Sequence, residues 1–468
     1  MTLSAFSRQL SAVAALFGLS AAVGAAGVAQ TSLSIYSDGR VVVRKTLPQA
    51  LQRGRNLLVL QIDGLDPATL FSTDSTVTVA SAAVRYPSGL NDALARAVGQ
   101  TLSFVWGKGD TIRATVLRVD PPQYRLADGR LLLGQPGAPL FPPELVRTAP
   151  EASLALDASR GRPNTQLAYV VQGVTWEATY QAVIGGGGAQ AAISGAATVT
   201  SQALRSDSAD VQLVAGTINR ARYQRRMEGV VMADMARAAA APEASMPVEQ
   251  AVGETHVYTL PAKLALEPGV PVMTALFPRA TTGVVQEFVV SGVLPWRGYF
   301  GPQPSDPNQV PVEVWYTFKR GRGTPFGERP LPGGTMQLYQ ADADARVQLV
   351  GEAAIGHTPA GKDLRVQSGN AFDVTAERVQ TDYTQEQLPP ARRGLPSRTR
   401  ITASYRVTIA NAKPDVVTVD VRENHFGTWR VVESSVPAEK LSATESRFRV
   451  SVPAGGEAVL TYTLLVES

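Results

Sequence analysis

The chain has no cysteine in 468 residues. That removes disulfides, thiolate metal sites, a lipid-anchored cysteine and cysteine nucleophiles together. Histidine is scarce: His256, His357 and His425 lie far apart, with no H-x-x-x-H spacing. His357 in Gly356-His357-Thr358-Pro359 and His425 in Asn424-His425-Phe426-Gly427 read as loop or edge residues, and a three-histidine metal site is the weaker alternative. There is no phosphate-binding loop; Gly185-Gly186-Gly187-Gly188 lacks the following lysine. No G-x-S-x-G elbow gives an α/β-hydrolase arrangement a foothold, and no Asn-x-Ser/Thr acceptor is present. No cofactor motif is found. Excess charge is also lacking, with a net +4 from 44 basic and 40 acidic residues. Arginine outnumbers lysine 37 to 7, but the positions are scattered, unlike the basic patch of a nucleic-acid binder.

What is present begins with an export signal. Arg8 is the only charge before an uncharged run from Leu10 to Ala29, which ends in Gly24-Ala25-Ala26-Gly27-Val28-Ala29. A basic start, an apolar middle and small residues before the cut are what signal peptidase reads, so residues 1–29 are expected to be removed near Ala29. An uncleaved anchor is the competing reading, but the run is rich in Ala, Gly and Ser rather than Leu and Ile.

From Thr31 onward the dominant pattern is alternation with period 2. Val312–Phe318, Tyr405–Ile409, Val417–Val421 and Phe448–Val452 place β-branched or aromatic residues on one face and polar ones on the other. Half-buried antiparallel strands require that arrangement. Asp38-Gly39, Asp128-Gly129 and Pro332-Gly333-Gly334 mark turns. The fold class is all-β: multi-domain antiparallel β-sandwiches with one short helix and a small inserted β-barrel. The helix is expected from Asn91, as cap, to Val98 before Gly99. The barrel is expected from Thr101–Val105, Thr111–Leu117 and a hairpin over Tyr124–Leu133. Boundaries divide the chain into 30–88, 89–143, 144–333 and 334–468. Residues 221–254 lose alternation and carry Pro242 and Pro247, predicting a mobile insertion that includes a second helical-looking, Ala- and Met-rich stretch from Gly229 to Ala241, stopped by Pro242. Pro389–Pro396, with Arg392 and Arg393, reads as an exposed loop.

Three groups of residues are candidates for function. Arg220, Arg222, Tyr223, Arg225 and Arg226 could grip an anionic glycan or a lipid head group. The competing reading is a solvated strand exit. Glu352, Asp373 and Glu423 are the acids that could form a glycosidase pair, which needs two carboxyls about 5–10 Å apart. Trp176 and Tyr180, four apart on a strand, face one side and fill a core or, failing that, form a sugar platform.

The run Leu167-Ala168-Tyr169-Val170-Val171-Gln172-Gly173-Val174-Thr175-Trp176-Glu177-Ala178-Thr179-Tyr180 resembles the Y-x-x-x-G-x-x-W-x-A-x-Y signature of the bacterial domain of unknown function 4139 family, the mucoidy-inhibitor-like proteins. The resemblance continues through Ala209–Gly216, Gly351–Pro359 with Glu352, Gly369–Val374, Gly427–Val431 with Trp429, and Val452–Gly456. It covers most of 160–468. The chain departs from the family at Thr198–Leu204, where members often carry N-x-S/T-G-x-D-W, and in lacking heptads. The resemblance implies an envelope location and a β-sheet build, and brings no reaction with it. Trp176, Tyr180, Glu352 and Trp429 are its signature positions, read as structural.

The expected function is therefore that of an exported, non-catalytic envelope scaffold engaging other envelope or surface-layer proteins. A secreted hydrolase on glycans or peptides, and a periplasmic carrier of an apolar ligand, are the alternatives.

Overall fold

The computed structural model describes residues 30–467 except 108, 187, 217–246, 293–300, 304–307, 343, 345, 390–397 and 426. The expected leader at 1–29, the five-residue Arg220–Arg226 candidate cluster, the Gly229–Ala241 stretch and the expected Pro389–Pro396 loop beyond Pro389 lie outside the described residues.

The protein is all-β, with about 64% of residues in strands and about 3% in helices. Alternation translates directly into burial. In the strand Val174–Ile184 every second residue from Val174 is buried, which puts Trp176 and Tyr180 in the core. Val312–Phe318 and Val417–Asn424 repeat the pattern, with the intervening polar residues on the other face.

Five sheets result. An eight-stranded sheet has Thr31–Tyr36, Arg40–Thr46 and Gln166–Gln172 at its centre. A three-stranded sheet has Glu151–Ala158 between Gly54–Gln61 and Val77–Arg85. A ten-stranded sheet is built around Pro271–Ser291, a 21-residue strand that pairs with Gln190–Ser201 along its first half and with Val312–Phe318 along its second. A five-stranded sheet centred on Val374–Leu388, Arg398–Asn411 and Gly456–Glu467 supplies Tyr405 and Tyr462, which stack on each other, while Phe448 of the ten-stranded sheet stacks on Tyr462. One continuous apolar core runs through these four sheets.

The fifth sheet, with the helix Leu90–Arg96, has its own small core of Leu94, Phe104, Val116 and Tyr124. Here the barrel expectation is corrected. The five strands form an open sheet whose end strands, Ala138–Leu140 and Leu131–Leu133, do not pair. Each is three residues long, and Pro139 lacks a donor, so there is too little ladder to close a ring. The helix begins at Leu90 behind Gly89, with no side-chain cap; Asn91 lies inside its first turn.

Among the described residues three strand pairs are parallel, against the antiparallel expectation: Thr31–Tyr36 with Ser206–Ala215, Val174–Ile184 with Gly334–Ala341, and Pro271–Ser291 with Val417–Asn424. The second places the expected boundary at 333/334 inside one hydrogen-bonded sheet. Gly334 is therefore not a linker residue. A Cβ there would sit 2.1 Å from the Ala178 carbonyl oxygen, so only glycine lets the strand approach. The described end of the expected mobile insertion is likewise ordered, as the strand Val248–Val252 pairs with Thr255–Thr259.

Trp176 is 3% exposed and packs opposite Val199 across the ladder. Trp176→Ala is expected to destabilise the protein by about 3–5 kcal/mol, the usual cost of truncating a buried aromatic. Urea unfolding measures it; an unchanged midpoint would mean that the side chain packs against nothing.

Candidate functional site

The candidate acids do not come together. Glu352 is exposed on the edge strand Val347–Ile355 and accepts a hydrogen bond from Gln337 Nε2 at 3.2 Å. Asp373 lies in a loop, 3.9 Å from Lys413 Nζ. Glu423 is buried and takes a bidentate pair from Arg378, at 3.0 and 3.2 Å. The Arg378 guanidinium also bonds Tyr462 Oη and Gln303 Oε1, and lies 4.0 Å over the Tyr405 ring. Glu423 is thus a structural counter-ion between two sheets, and no proton acceptor is left free there.

The histidines separate in the same way. His256 Nδ1 contacts Glu249 at 2.7 Å, and His357 Nδ1 accepts from the Gly333 amide at 3.0 Å. His425 is a loop residue, as expected, one position beyond the strand Val417–Asn424, but it is buried. It is 4% exposed, its ring centroid 4.0 Å from that of Trp429, with Nε2 2.7 Å from the buried Ser446 hydroxyl. Trp429 Nε1 donates to the Ala443 carbonyl, which holds the indole over the imidazole. A Ser–His contact suggests nucleophilic catalysis, but Nδ1 has no partner among the described residues and Ser446 is 1% exposed. Without an orienting acid and without access, the pair fills a core. Trp176 and Tyr180 are core residues too, Tyr180 Oη donating to the Pro332 carbonyl at 2.8 Å. Among the described residues no group of three or more His, Cys, Asp or Glu is arranged to hold a metal ion.

What does converge is a cleft of about 360 Å³ beside the first strands. Its floor is a cross-strand row of Leu33, Val43 and Tyr169, in register on the inner face of the eight-stranded sheet. One step along, Thr31 and Lys45 occupy the same face. Leu204–Ser208 form the far wall and Gln61 and Asp63 the end. Lys45 Nζ donates to the Gln61 carbonyl at 3.2 Å, which pins the ammonium at the mouth. Burial, reinforced by Asp63, raises the Tyr169 pKa well above the ordinary phenol value, so the hydroxyl is a neutral donor. The cleft combines an apolar floor with a rim of Lys45, Asp63, Arg205 and Asp207. Its size falls at the lower end of ligand pockets, about 300–1,000 Å³. Such a mixture suits an apolar side chain carried on a polar backbone.

A sequence signal for this cleft existed in the strand Arg40–Thr46. Val41, Val43 and Lys45 share one face by period 2, so a lysine stands on a buried face. The other half of the cleft comes from residues some 160 positions away and has no such signal.

Two expectations follow from this geometry. Glu423→Gln leaves the buried Arg378 unpaired and is expected to cost about 3–5 kcal/mol, whereas Arg378→Met with Glu423→Leu recovers most of it. Urea unfolding distinguishes them, and a Glu423→Gln protein as stable as the parent would return this acid to the catalytic candidates. For His425, burial, followed by Lys440, pushes the pKa down to about 4 from 6.5. As pH falls, the unfolded chain takes up the proton before the folded one. Stability from this residue is therefore complete above 6.5 and lost as pH falls towards about 4. Melting temperature followed across that window should slope less in His425→Gln, and an identical slope would assign the loss to other groups.

No protein-family model matches the chain, and no curated protein matches it.

Proposed function

We propose that this protein is an exported cell-envelope scaffold that engages a partner protein by strand addition, and that it performs no catalysis. The observation that carries this reading is the strand Gly54–Gln61. It is an outer strand of the three-stranded sheet, paired only with Glu151–Ala158, and no described strand covers its other edge. Its middle reads Leu57-Leu58-Val59-Leu60, without the lysine, proline or bulge that blunts unpaired edges. Leu58 is buried, while Leu57 and Val59 stand 78% and 69% exposed opposite Ala155 and Ser153. An extended segment laid along this edge gains backbone hydrogen bonds and covers both side chains. The leader at 1–29 supports export. Kinship with the domain of unknown function 4139 family, and envelope or surface-layer proteins as partners, belong to the same reading. Anionic glycan or lipid head groups at Arg220–Arg226 would be a second contact.

The hydrolase alternative asks for two free carboxylates in one cleft, and Glu352, Asp373 and Glu423 each have a different partner. The carrier alternative asks for a closed apolar cavity, and the rim of the described cleft carries four charged side chains.

Val59→Lys tests the scaffold. The position is exposed, so stability should change by no more than about 0.5 kcal/mol. Extracted from the envelope in mild detergent, the parent chain is expected to elute in a complex with an interface of at least about 1,000 Å², and the variant as a monomer. Crosslinking in intact cells then identifies the partner. A parent chain that elutes alone, with no partner crosslinked, overturns the reading.

A further inference from the structure

A second cavity, of about 110 Å³, lies on the outer face of the ten-stranded sheet. Strand register alone assembles it. Val289 pairs with Glu313 on one side, and Ser291 with Arg422 on the other. Asn424 pairs with Glu445 in the next ladder. Trp315 and Arg365 close the upper end.

Part of the hydrogen-bonding capacity here is unspent. The Arg422 side chain makes no hydrogen bond to any described residue; its guanidinium lies between Asp420 and Glu445 at 3.9 and 3.8 Å, too far for one, and its Nε is buried without a partner among the described residues. Glu445 meets no other described side chain through its carboxylate. Asn424 uses Nδ2 on the Gly292 carbonyl and leaves its Oδ1 open. The Arg422 terminal nitrogens, the Glu445 carboxylate, Asn424 Oδ1 and Glu313 Oε1 thus have no hydrogen-bond partner among the described residues, while Ser291 Oγ donates to Glu313 Oε2 at 3.4 Å. By contrast, the indole is fixed: Trp315 Nε1 donates to Glu313 Oε2 at 2.8 Å, and the Arg365 guanidinium lies 3.9 Å over its ring while bonding Glu287.

Charge selects among ligands. Glu313 and Glu445 oppose Arg365 and Arg422, so the lining is neutral. An anion would meet two carboxylates and a cation two guanidinium groups. Hydroxyl groups, which donate and accept, satisfy both sets at once. The volume is room for several waters, which the hydroxyls of one sugar ring would replace.

We propose that this cavity binds a neutral hexose residue of a glycan, with Arg422, Asn424, Ser291, Glu313 and Glu445 as hydroxyl partners and Trp315 as the apolar wall. The site is independent of the scaffold reading, since it needs neither the Gly54–Gln61 edge nor a protein partner.

Calorimetric titration of the full chain with cello-, manno-, galacto- and chitohexaose, and with oligogalacturonate as the charged control, is the test. At least one neutral oligosaccharide is expected to bind with Kd below about 10 mM. Arg422→Met should weaken that binding by about tenfold or more. Ser291→Ala, at an exposed position that carries no ion pair, should weaken it while melting like the parent. No binding by any neutral hexaose, binding of the uronate alone, or binding unchanged in both variants would overturn the proposal.

Discussion

The strand Pro271–Ser291 is the constraint on which the rest of the molecule depends. Its first half hydrogen-bonds to Gln190–Ser201 and its second half to Val312–Phe318 and Val417–Asn424. A single extended backbone thereby ties strands more than two hundred residues apart into one sheet. Within its first half the pairing is interrupted by register shifts around Gly195, where a Cβ would strike the Phe277 ring at 2.4 Å. Phe277 fills that space and stacks towards Tyr180 and Phe326. The aromatic core and the register shift in the strand are one feature, because each occupies room that the other leaves.

Charge inside the protein is handled by two different devices. Arg320, fully buried, donates to the carbonyls of Phe326, Pro359, Lys362 and Arg329, binding two loops together without a carboxylate on its side chain. Arg378 instead takes Glu423 as a bidentate partner between two facing sheets. Both satisfy a planar donor fork whose burial would otherwise be costly. Neither leaves a group free for proton transfer. Polar residues that invite a catalytic reading in one dimension are here holding loops and sheets in place.

The surfaces left uncovered by this construction differ in character. The Gly54–Gln61 edge offers backbone groups and two aliphatic side chains. The cleft at Leu33, Val43 and Tyr169 offers an apolar floor inside a charged rim. The cavity at Ser291 and Arg422 offers donors and acceptors in balance. On the proposals made above, extended peptide, amphipathic side chain and polyhydroxyl ring would be the respective complements.

Much of the local structure was legible in the sequence. Period 2 decided which residues of Val174–Ile184, Val312–Phe318 and Val417–Asn424 face the core, because successive Cβ atoms on a strand point to opposite sides. Asp38-Gly39 and Asp128-Gly129 marked hairpins, since each glycine takes a positive φ that a side chain resists. Trp176 and Tyr180 followed as core residues from the same spacing. Which strands become neighbours was not legible, because backbone hydrogen bonds carry no residue identity. Parallel partners such as Val174–Ile184 and Gly334–Ala341, about 160 positions apart, are selected only when the two sheets pack. The open form of the small sheet, the burial of His425 beneath Trp429 and the partner of Glu423 all depend on that choice. So do the cleft and the cavity, whose residues share a face by register across strands and by nothing in their order along the chain.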